Sequence, residues 1–267
     1  MVQGIPSRPL ALISKHMTES LAASIATLKG MIQEARIVAG FTGAGISTES
    51  GIPDFRSPNS PWLRNKPIAY ELFLQSAKAR REAWRRKFAM DDLYRGARPS
   101  AGHRALAALV ASGRMPAVIT QNIDGLHQES GLRDDQVIEL HGNGTYAKCL
   151  SCGRRHELDW VRYHFDRNGE PPECMACGGI LKSATISFGQ AMPEEPMRRA
   201  QKLSAACDLF LVAGSSLVVY PAAAFPAFAK ENGARLVIVN REPTPLDELA
   251  DLVVHAEIGE VFSEFPT

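Results

Sequence analysis

The chain has 267 residues, is 45% hydrophobic and 22% charged, and carries a net charge of +1. This is the make-up of an ordinary globular protein, long enough for one large domain or a domain with a smaller lobe, and it creates no field that would draw nucleic acid or an anionic membrane. No apolar run approaches the ~20 residues of a membrane-spanning helix, and the opening MVQGIPSRPLALISKH has no signal-peptide core, so it reads as a frayed tail on a cytoplasmic protein, its lack of acids leaving an organelle-targeting reading open.

Residues 20–33 place Leu21, Ile25, Leu28 and Ile32 on one helical stripe. The first apolar run follows at 37–41 and leads into FTGAGISTESGIPDFR, residues 41–56. Gly43 and Gly45 form a G-x-G after a strand, which permits a tight turn and close approach of backbone to phosphate. Thr48 stands where a dinucleotide fingerprint has its third glycine, so the pattern fits a nucleotide cradle or a plain strand-to-helix turn. Ser47 and Thr48 add hydroxyls, and the extension through Pro53, Asp54, Phe55 and Arg56 supplies an aromatic and a guanidinium that could close over a ligand.

Residues 57–95 form a helical insertion rich in Trp, Arg and Lys. Its basic run 77–88, with six cations and one acid, reads as a solvated helix face with Trp84 and Phe88 turned inward. A helix at 102–112 and a strand at 117–120 precede TQNIDGLH, residues 120–127. Carboxyl ends of strands are where α/β sheets bind ligands. Gln121, Asn122, Asp124 and His127 suit a ribose and a carboxamide there, or an ordinary polar loop with a helix cap. The strand 137–140 ends at His141, whose imidazole is fit for general-base work or a structural role.

The insertion 145–185 carries Cys149, Cys152, Cys174 and Cys177 as two C-x-x-C knuckles. Two such knuckles complete a tetrahedron around one zinc, and four thiolates leave no open position, so the metal is structural. Cys207 reads as a small buried apolar residue. A helix at 194–206, a strand at 209–214, a helix at 221–232 and strands at 235–240 and 252–256 complete the chain. Ser215 and Ser216 after Gly214 fit a phosphate or ribose contact, and Asn240 a ribose. The apolar runs lack polar alternation, as in strands buried on both faces. With helices between them they predict an α/β, Rossmann-like doubly wound parallel sheet. Residues 20–56, 96–144 and 186–267 would form it, and 57–95 with the zinc module 145–185 would form the small domain.

Taken in order, GAGIS…SGIPDFR, TQNIDGLH, HG after a strand, the paired knuckles, FGQAMP, GSSL…P and VNREPT resemble the sirtuins, the NAD-dependent protein deacylases. The resemblance spans roughly residues 38–247. It implies that the loop Ala44–Arg56 closes over NAD, with Phe55 shielding the ribose carbon and Arg56 contacting the cofactor. Ala44, Ile52, Asn122, Ile123 and Asp124 would line the nicotinamide pocket. Gln121 would meet the nicotinamide ribose, Ser215 a phosphate and Asn240 the adenosine ribose. Catalytic roles fall to His141, Asn122 and Asp124, with His141 as the base. NAD is consumed: an acyl-lysine oxygen takes the ribose carbon as nicotinamide leaves, and the products are free lysine and O-acyl-ADP-ribose. The implied partners are acylated-lysine proteins, with no membrane, no nucleic acid and a monomeric state.

The chain departs from the family pattern in places. Lys182 and Ser183 replace an Arg-Pro pair, Gln190 replaces an acid, and GSSL replaces the commoner GTSL. Trp84 and Lys87 stand nearest to the Tyr and Arg that hold a carboxylate in the desuccinylating branch, which disfavours a succinyl preference. Mono-ADP-ribosyl transfer and simple binding of NAD or ADP-ribose are the alternative functions.

Overall fold

The computed structural model describes residues 10–54 and 67–265, with side chains in the first helix described from residue 21 onward. In chain order the elements are α1 (Leu10–Glu34), β1 (Val38–Thr42), a 3-10 turn (Ala44–Ser50), α2 (Tyr70–Gln75), α3 (Ala77–Leu93), α4 (Ala101–Ala111), β2 (Val118–Thr120), α5 (Leu126–Glu129), β3 (Val137–Glu139), β4 (Gly142–Cys149), β5 (Arg155–Glu157), α6 (Leu158–Asn168), β6 (Leu181–Thr185), α7 (Glu194–Ala206), β7 (Leu209–Ala213), α8 (Phe225–Glu231), β8 (Arg235–Val239), β9 (Leu252–Val254) and α9 (Ile258–Phe262). The first helix begins at Leu10, so only residues 1–9 of the expected tail lie outside the described residues.

Six strands form one parallel sheet in the order β3-β2-β1-β7-β8-β9. Parallel pairing needs a crossover between successive strands, which α4, α7 and α8 provide. Because strand side chains alternate, each strand feeds two cores. Val38, Val118, Leu211, Val237 and Val239 join α1, α4 and α9 on one face. Phe41, Ile119, Phe210, Val212 and Ile238 join α7 and α8 on the other. Burial on both faces is why β1 and β7 contain no exposed residue, and why the runs read as strands without polar alternation.

A second, antiparallel sheet of three strands has the order β5-β4-β6. Its β4 starts at Gly142, one residue beyond His141, so a single turn carries the chain from one sheet to the other. Gly142 makes that turn with φ +72, in space where a Cβ would lie 2.1 Å from the Ala184 carbonyl oxygen.

α3 packs on this second sheet. Ser76 caps it by accepting from Ala79 N at 3.2 Å. Trp84 and Phe88 lie one turn apart and enter a cluster with Ala147, Cys149, Val161, Cys174 and Leu181. Trp84 also donates from Nε1 to the Leu181 carbonyl at 3.2 Å. The cations of the basic run are largely paired: Arg85 and Arg86 with Glu82, Lys87 with Asp91, and Arg81 with Glu170.

Candidate active site

The chain builds outward from β1 to β2 and β3, then returns to the middle and builds outward through β7, β8 and β9. The direction therefore reverses between β1 and β7, where a doubly wound sheet opens its ligand crevice. The two glycine loops meet there. Gly45 N donates to the Gly214 carbonyl at 2.8 Å, and Gly43 N to the Ala213 carbonyl at 3.4 Å. A Cβ on Gly45 would lie 2.8 Å from Gly214 Cα, and one on Gly43 would lie 2.9 Å from the Gly214 oxygen. The G-x-G is thus required by this crossing of backbones, and Gly214 itself adopts φ +68.

The segment after β2 fills the neighbouring edge. Asn122 Nδ2 donates to the Gly43 carbonyl and to Ser47 Oγ, both at 3.1 Å. Ser47 Oγ donates to Asp124 Oδ2 at 2.7 Å, and Leu126 N donates to Asp124 Oδ1 at 3.0 Å. Burial pushes the Asp124 carboxyl above its ordinary range, although these donors oppose the shift. Gln121 Nε2 donates to Ser215 Oγ at 2.8 Å, joining the loops that follow β2 and β7. Gly144 N donates to the Ile123 carbonyl at 2.7 Å and ties the segment to β4.

His141 stands on the same rim. Its Nδ1 lies 3.0 Å from the Gln121 carbonyl oxygen, which can only accept, so the proton sits on Nδ1 and Nε2 keeps its lone pair. Burial lowers the pKa of this half-buried ring, and the carbonyl contact offsets part of that effect. The result is a neutral imidazole with one basic nitrogen free.

The remaining candidates lie on the loops that follow β1, β7 and β8. Ala44 and Ser216 are half-buried at the crevice. Ile52 N donates to the Ser47 carbonyl at 3.2 Å, and Asp54 lies 3.9 Å from Arg241 beyond β8. Asn240 is nearly buried and uses Nδ2 to hold the Glu242 carbonyl at 2.6 Å. Phe55 and Arg56 lie outside the described residues.

His127 is not at the edge where TQNIDGLH suggests it. It is buried beneath the segment, with Nε2 2.9 Å from Thr42 Oγ1 and its ring 4.8 Å from that of His103. Thr42 and Thr120 lie inside FTGAGISTESGIPDFR and TQNIDGLH but read as having no role there, and His103 lies outside every motif. Threonine reads as a strand former, and His103 reads as one residue of an amphipathic helix, although the Ser100-x-x-His103 spacing marks the helix start it caps.

The four knuckle cysteines bring their sulfurs together within 4.8 Å of one another. Cys149 and Cys177 sulfurs are 3.5 Å apart, and those of Cys152 and Cys174 are 3.7 Å apart. A tetrahedron with Zn–S bonds of ~2.3 Å has edges of about 3.8 Å, so the cluster fits zinc. Ser151 N and Cys152 N donate to Cys149 Sγ, and Ala176 N to Cys174 Sγ. These donors favour thiolates, the form that binds metal.

Two departures from the family pattern have local explanations. Gln190 Oε1 accepts from Ser187 N at 3.1 Å, the bond an acid there could make. Lys182 is buried, with Nζ donating to the Thr185 carbonyl at 2.5 Å, and burial lowers its pKa to about 8.

The sequence model described as "Sir2 family" matches residues 43–221. The chain belongs to the Sir2 family. It is 58% identical over 246 residues to an NAD-dependent protein deacetylase of Rhodopseudomonas palustris, an overlap that covers 92% of this chain and 97% of the relative. Among solved structures it is similar to a Sir2 with a p53 peptide and NAD+, at TM-score 0.79 and 36% identity over 89% of this chain and 95% of the other. A Sir2 bound to an acetylated peptide superposes at TM-score 0.80 and 34% identity, over 90% and 95% of the two chains. In this Sir2 chain the parallel sheet, the separate small sheet and the cysteine cluster lie within that shared fold.

Proposed function

We propose that the chain is an NAD-dependent protein lysine deacylase that releases nicotinamide and an O-acyl-ADP-ribose, with acylated-lysine proteins as substrates. One observation carries this reading. A neutral imidazole, a carboxamide and a buried carboxylate stand on one rim of the sheet, linked through the Gln121–Asn122 peptide and Ser47. The relative's deacetylase activity and the peptides in the similar structures support it.

NAD supplies a ribose carbon whose nicotinamide departs as the acyl oxygen arrives. In our reading Gly43, Gly45, Gly214, Ser215 and Ser216 cradle its phosphates. Ala44, Ile52, Asn122, Ile123 and Asp124 hold the carboxamide ring, Gln121 and Asn240 hold riboses, and the loop that begins with Asp54 would close over the site through Phe55 and Arg56. His141 Nε2 takes a proton from a ribose hydroxyl, a contribution of about 10²–10⁴-fold for a positioned base. The knuckle cysteines hold one structural zinc.

Trp84 is core, and the Lys87 ammonium is engaged by Asp91, so neither is available to an acyl carboxylate. This supports uncharged acyl groups over succinyl. We also propose that residues 57–95 and 145–185 act as a small domain, because Trp84 and Phe88 share one core with Cys149 and Cys174. A reducing cytoplasm is proposed from the thiolate metal site and the lack of nucleic-acid partners from the net charge of +1, with a monomer as the default state. No helix among the described residues is long and apolar enough to cross a membrane.

The test mixes the protein, NAD and a panel of acyl-lysine peptides and reads products by mass spectrometry. Deacylated peptide, nicotinamide and O-acyl-ADP-ribose should appear together and be lost in His141→Ala, which should still bind NAD. ADP-ribose left on protein without deacylation would favour ADP-ribosyl transfer instead.

A further inference from the structure

His127, Thr42 and Thr120 lie under the candidate site, and none of the three is itself assigned to NAD or peptide. All three are fully or almost fully buried. They form a chain of hydrogen bonds. His127 Nε2 meets Thr42 Oγ1 at 2.9 Å, and Thr42 Oγ1 donates to Thr120 Oγ1 at 2.8 Å. Because Thr42 spends its proton on Thr120, His127 must be the donor to Thr42. Asn122 N then donates to Thr120 Oγ1 at 3.0 Å.

That last bond matters because of which peptide it holds. The N–H of Asn122 and the C=O of Gln121 belong to one planar amide. The N–H side is fixed by Thr120, and the C=O side receives His141 Nδ1 at 3.0 Å. Rotating the plane would withdraw the acceptor from His141 and release its Nδ1 proton from its one partner among the described residues. The His141 ring could then exchange tautomers, and the nitrogen facing the site would be protonated for part of the time.

The far end of the chain is equally determined. His103 Nδ1 accepts from Ser100 N at 3.1 Å, so its proton is on Nε2. His127 has its proton on Nε2, and neither its Nδ1 nor His103 Nε2 has a hydrogen-bond partner among the described residues. Burial and the neighbouring His103 hold His127 far below its ordinary pKa, so it remains a neutral donor of fixed polarity.

We propose that His127, Thr42 and Thr120 are positioning residues that set the tautomer of His141 through the Gln121–Asn122 peptide. The reaction they serve rests on the deacylase reading above, but the tautomer itself does not.

The experiment uses the full chain labelled with 15N-histidine and reads ring tautomers from long-range proton–nitrogen NMR spectra, with His141→Ala assigning the signals. Wild type should show His141 as the Nδ1–H form. Thr120→Val keeps the shape and removes the oxygen; it should give a mixture of tautomers and lower kcat by about 10-fold or more, with the Kd for NAD within about twofold, as expected of a misplaced reacting group. Thr120→Ser restores the oxygen and should recover the wild-type spectrum. His127→Leu should reproduce the Thr120→Val spectrum, whereas His127→Gln retains a donor and should lie between. If Thr120→Val does not fold, the His127 pair decides the matter by the same spectra. A pure Nδ1–H form of His141 in Thr120→Val, or in His127→Leu, would overturn the proposal even if deacylation fell. A wild type without deacylase activity would sink the functional reading while leaving this spectral test intact.

Discussion

Ser47 Oγ and Asp124 Oδ2 are 2.7 Å apart, so a residue on the loop after β1 is bonded to a carboxylate beyond β2. The carboxyl is nonetheless raised by burial above the 3.8 it has when unfolded. A raised acid favours the folded state below its unfolded pKa, and that contribution is lost as pH rises through the folded value. At neutral pH the ionised Asp124 therefore costs stability. Asp124→Asn removes that cost, while an amide oxygen still accepts from Leu126 N and Ser47 can turn to accept. It should raise Tm by about 2–4 °C, the shift that ~1 kcal/mol produces in a large domain, and should abolish most nicotinamide release. Scanning calorimetry at pH 7 checks it. The gap between variant and wild type should shrink as the pH is lowered toward the carboxylate range. An unchanged or lower Tm would mean that the carboxylate is not under strain.

His141 is held below the ordinary histidine pKa of 6.5, chiefly by burial. A base works when unprotonated, and a lowered pKa moves the loss of activity to more acidic pH. The acid limb of kcat/KM, which reports the free enzyme, should therefore be centred below 6.5. A pH–rate profile with an uncharged acyl peptide measures it directly. A limb centred at or above 6.5 would place the base in a different environment or on a different residue.

Much of the fold was legible because its cause is local. The strands β1, β7 and β8 are buried on both faces, so apolar runs without alternation mark them to within a residue or so. The knuckles were legible because metal geometry dictates spacing. What stayed hidden depends on partners far apart in sequence. Nothing around Gly214 announces that Gly45 crosses it, and nothing in Thr42 or Thr120 separates a hydrogen-bonding threonine from a strand-forming one. His127 looked like an edge residue because the loop beside it is polar, but α5 turns its ring inward onto Thr42. The basic run 77–88 read as a solvated helix face with Trp84 and Phe88 inward, and those two rings are buried; its pairing with Glu82, Asp91 and Glu170 could not be read, because Glu170 is far away in sequence.

The Gly45–Gly214 crossing makes a sharp expectation for one methyl group. In Gly45→Ala the new Cβ would lie 2.8 Å from both Cα and the carbonyl oxygen of Gly214, which are backbone atoms with no easy way to move. Overpacking of this kind costs about 1–3 kcal/mol, and relief would come by parting the two loops. The variant should lose NAD affinity by at least about 10-fold and unfold several degrees earlier. Gly30→Ala, on the solvent side of α1 with nothing within 4 Å of its Cβ position, should do neither. Calorimetric titration with NAD compares the two. Equal NAD affinity in Gly45→Ala would show that the crossing can open without disturbing the site.

The zinc cluster has a neighbour that its four ligands do not include. His156 is buried, and its Nε2 lies 3.3 Å from Cys174 Sγ, with the ring against Trp160 at 5.4 Å between centroids. A thiolate accepts, so the imidazole donates to it and withdraws some of its charge without taking a coordination position. Outer-shell contacts of this type typically change metal affinity by about 10–100-fold. His156→Phe should therefore lose zinc to a chromogenic chelator about 10-fold faster than wild type, and His156→Gln, which keeps an N–H donor, should fall between them. Zinc loss should also flatten the near-ultraviolet circular dichroism of Trp84, because Cys149 and Cys174 are part of the cluster that packs Trp84 and Phe88. The structural role of the metal predicts that the two signals change together. Zinc release with an unchanged tryptophan signal would show that the α3 packing stands without the ion, and equal release rates in His156→Phe and wild type would show that the His156 contact does not hold it.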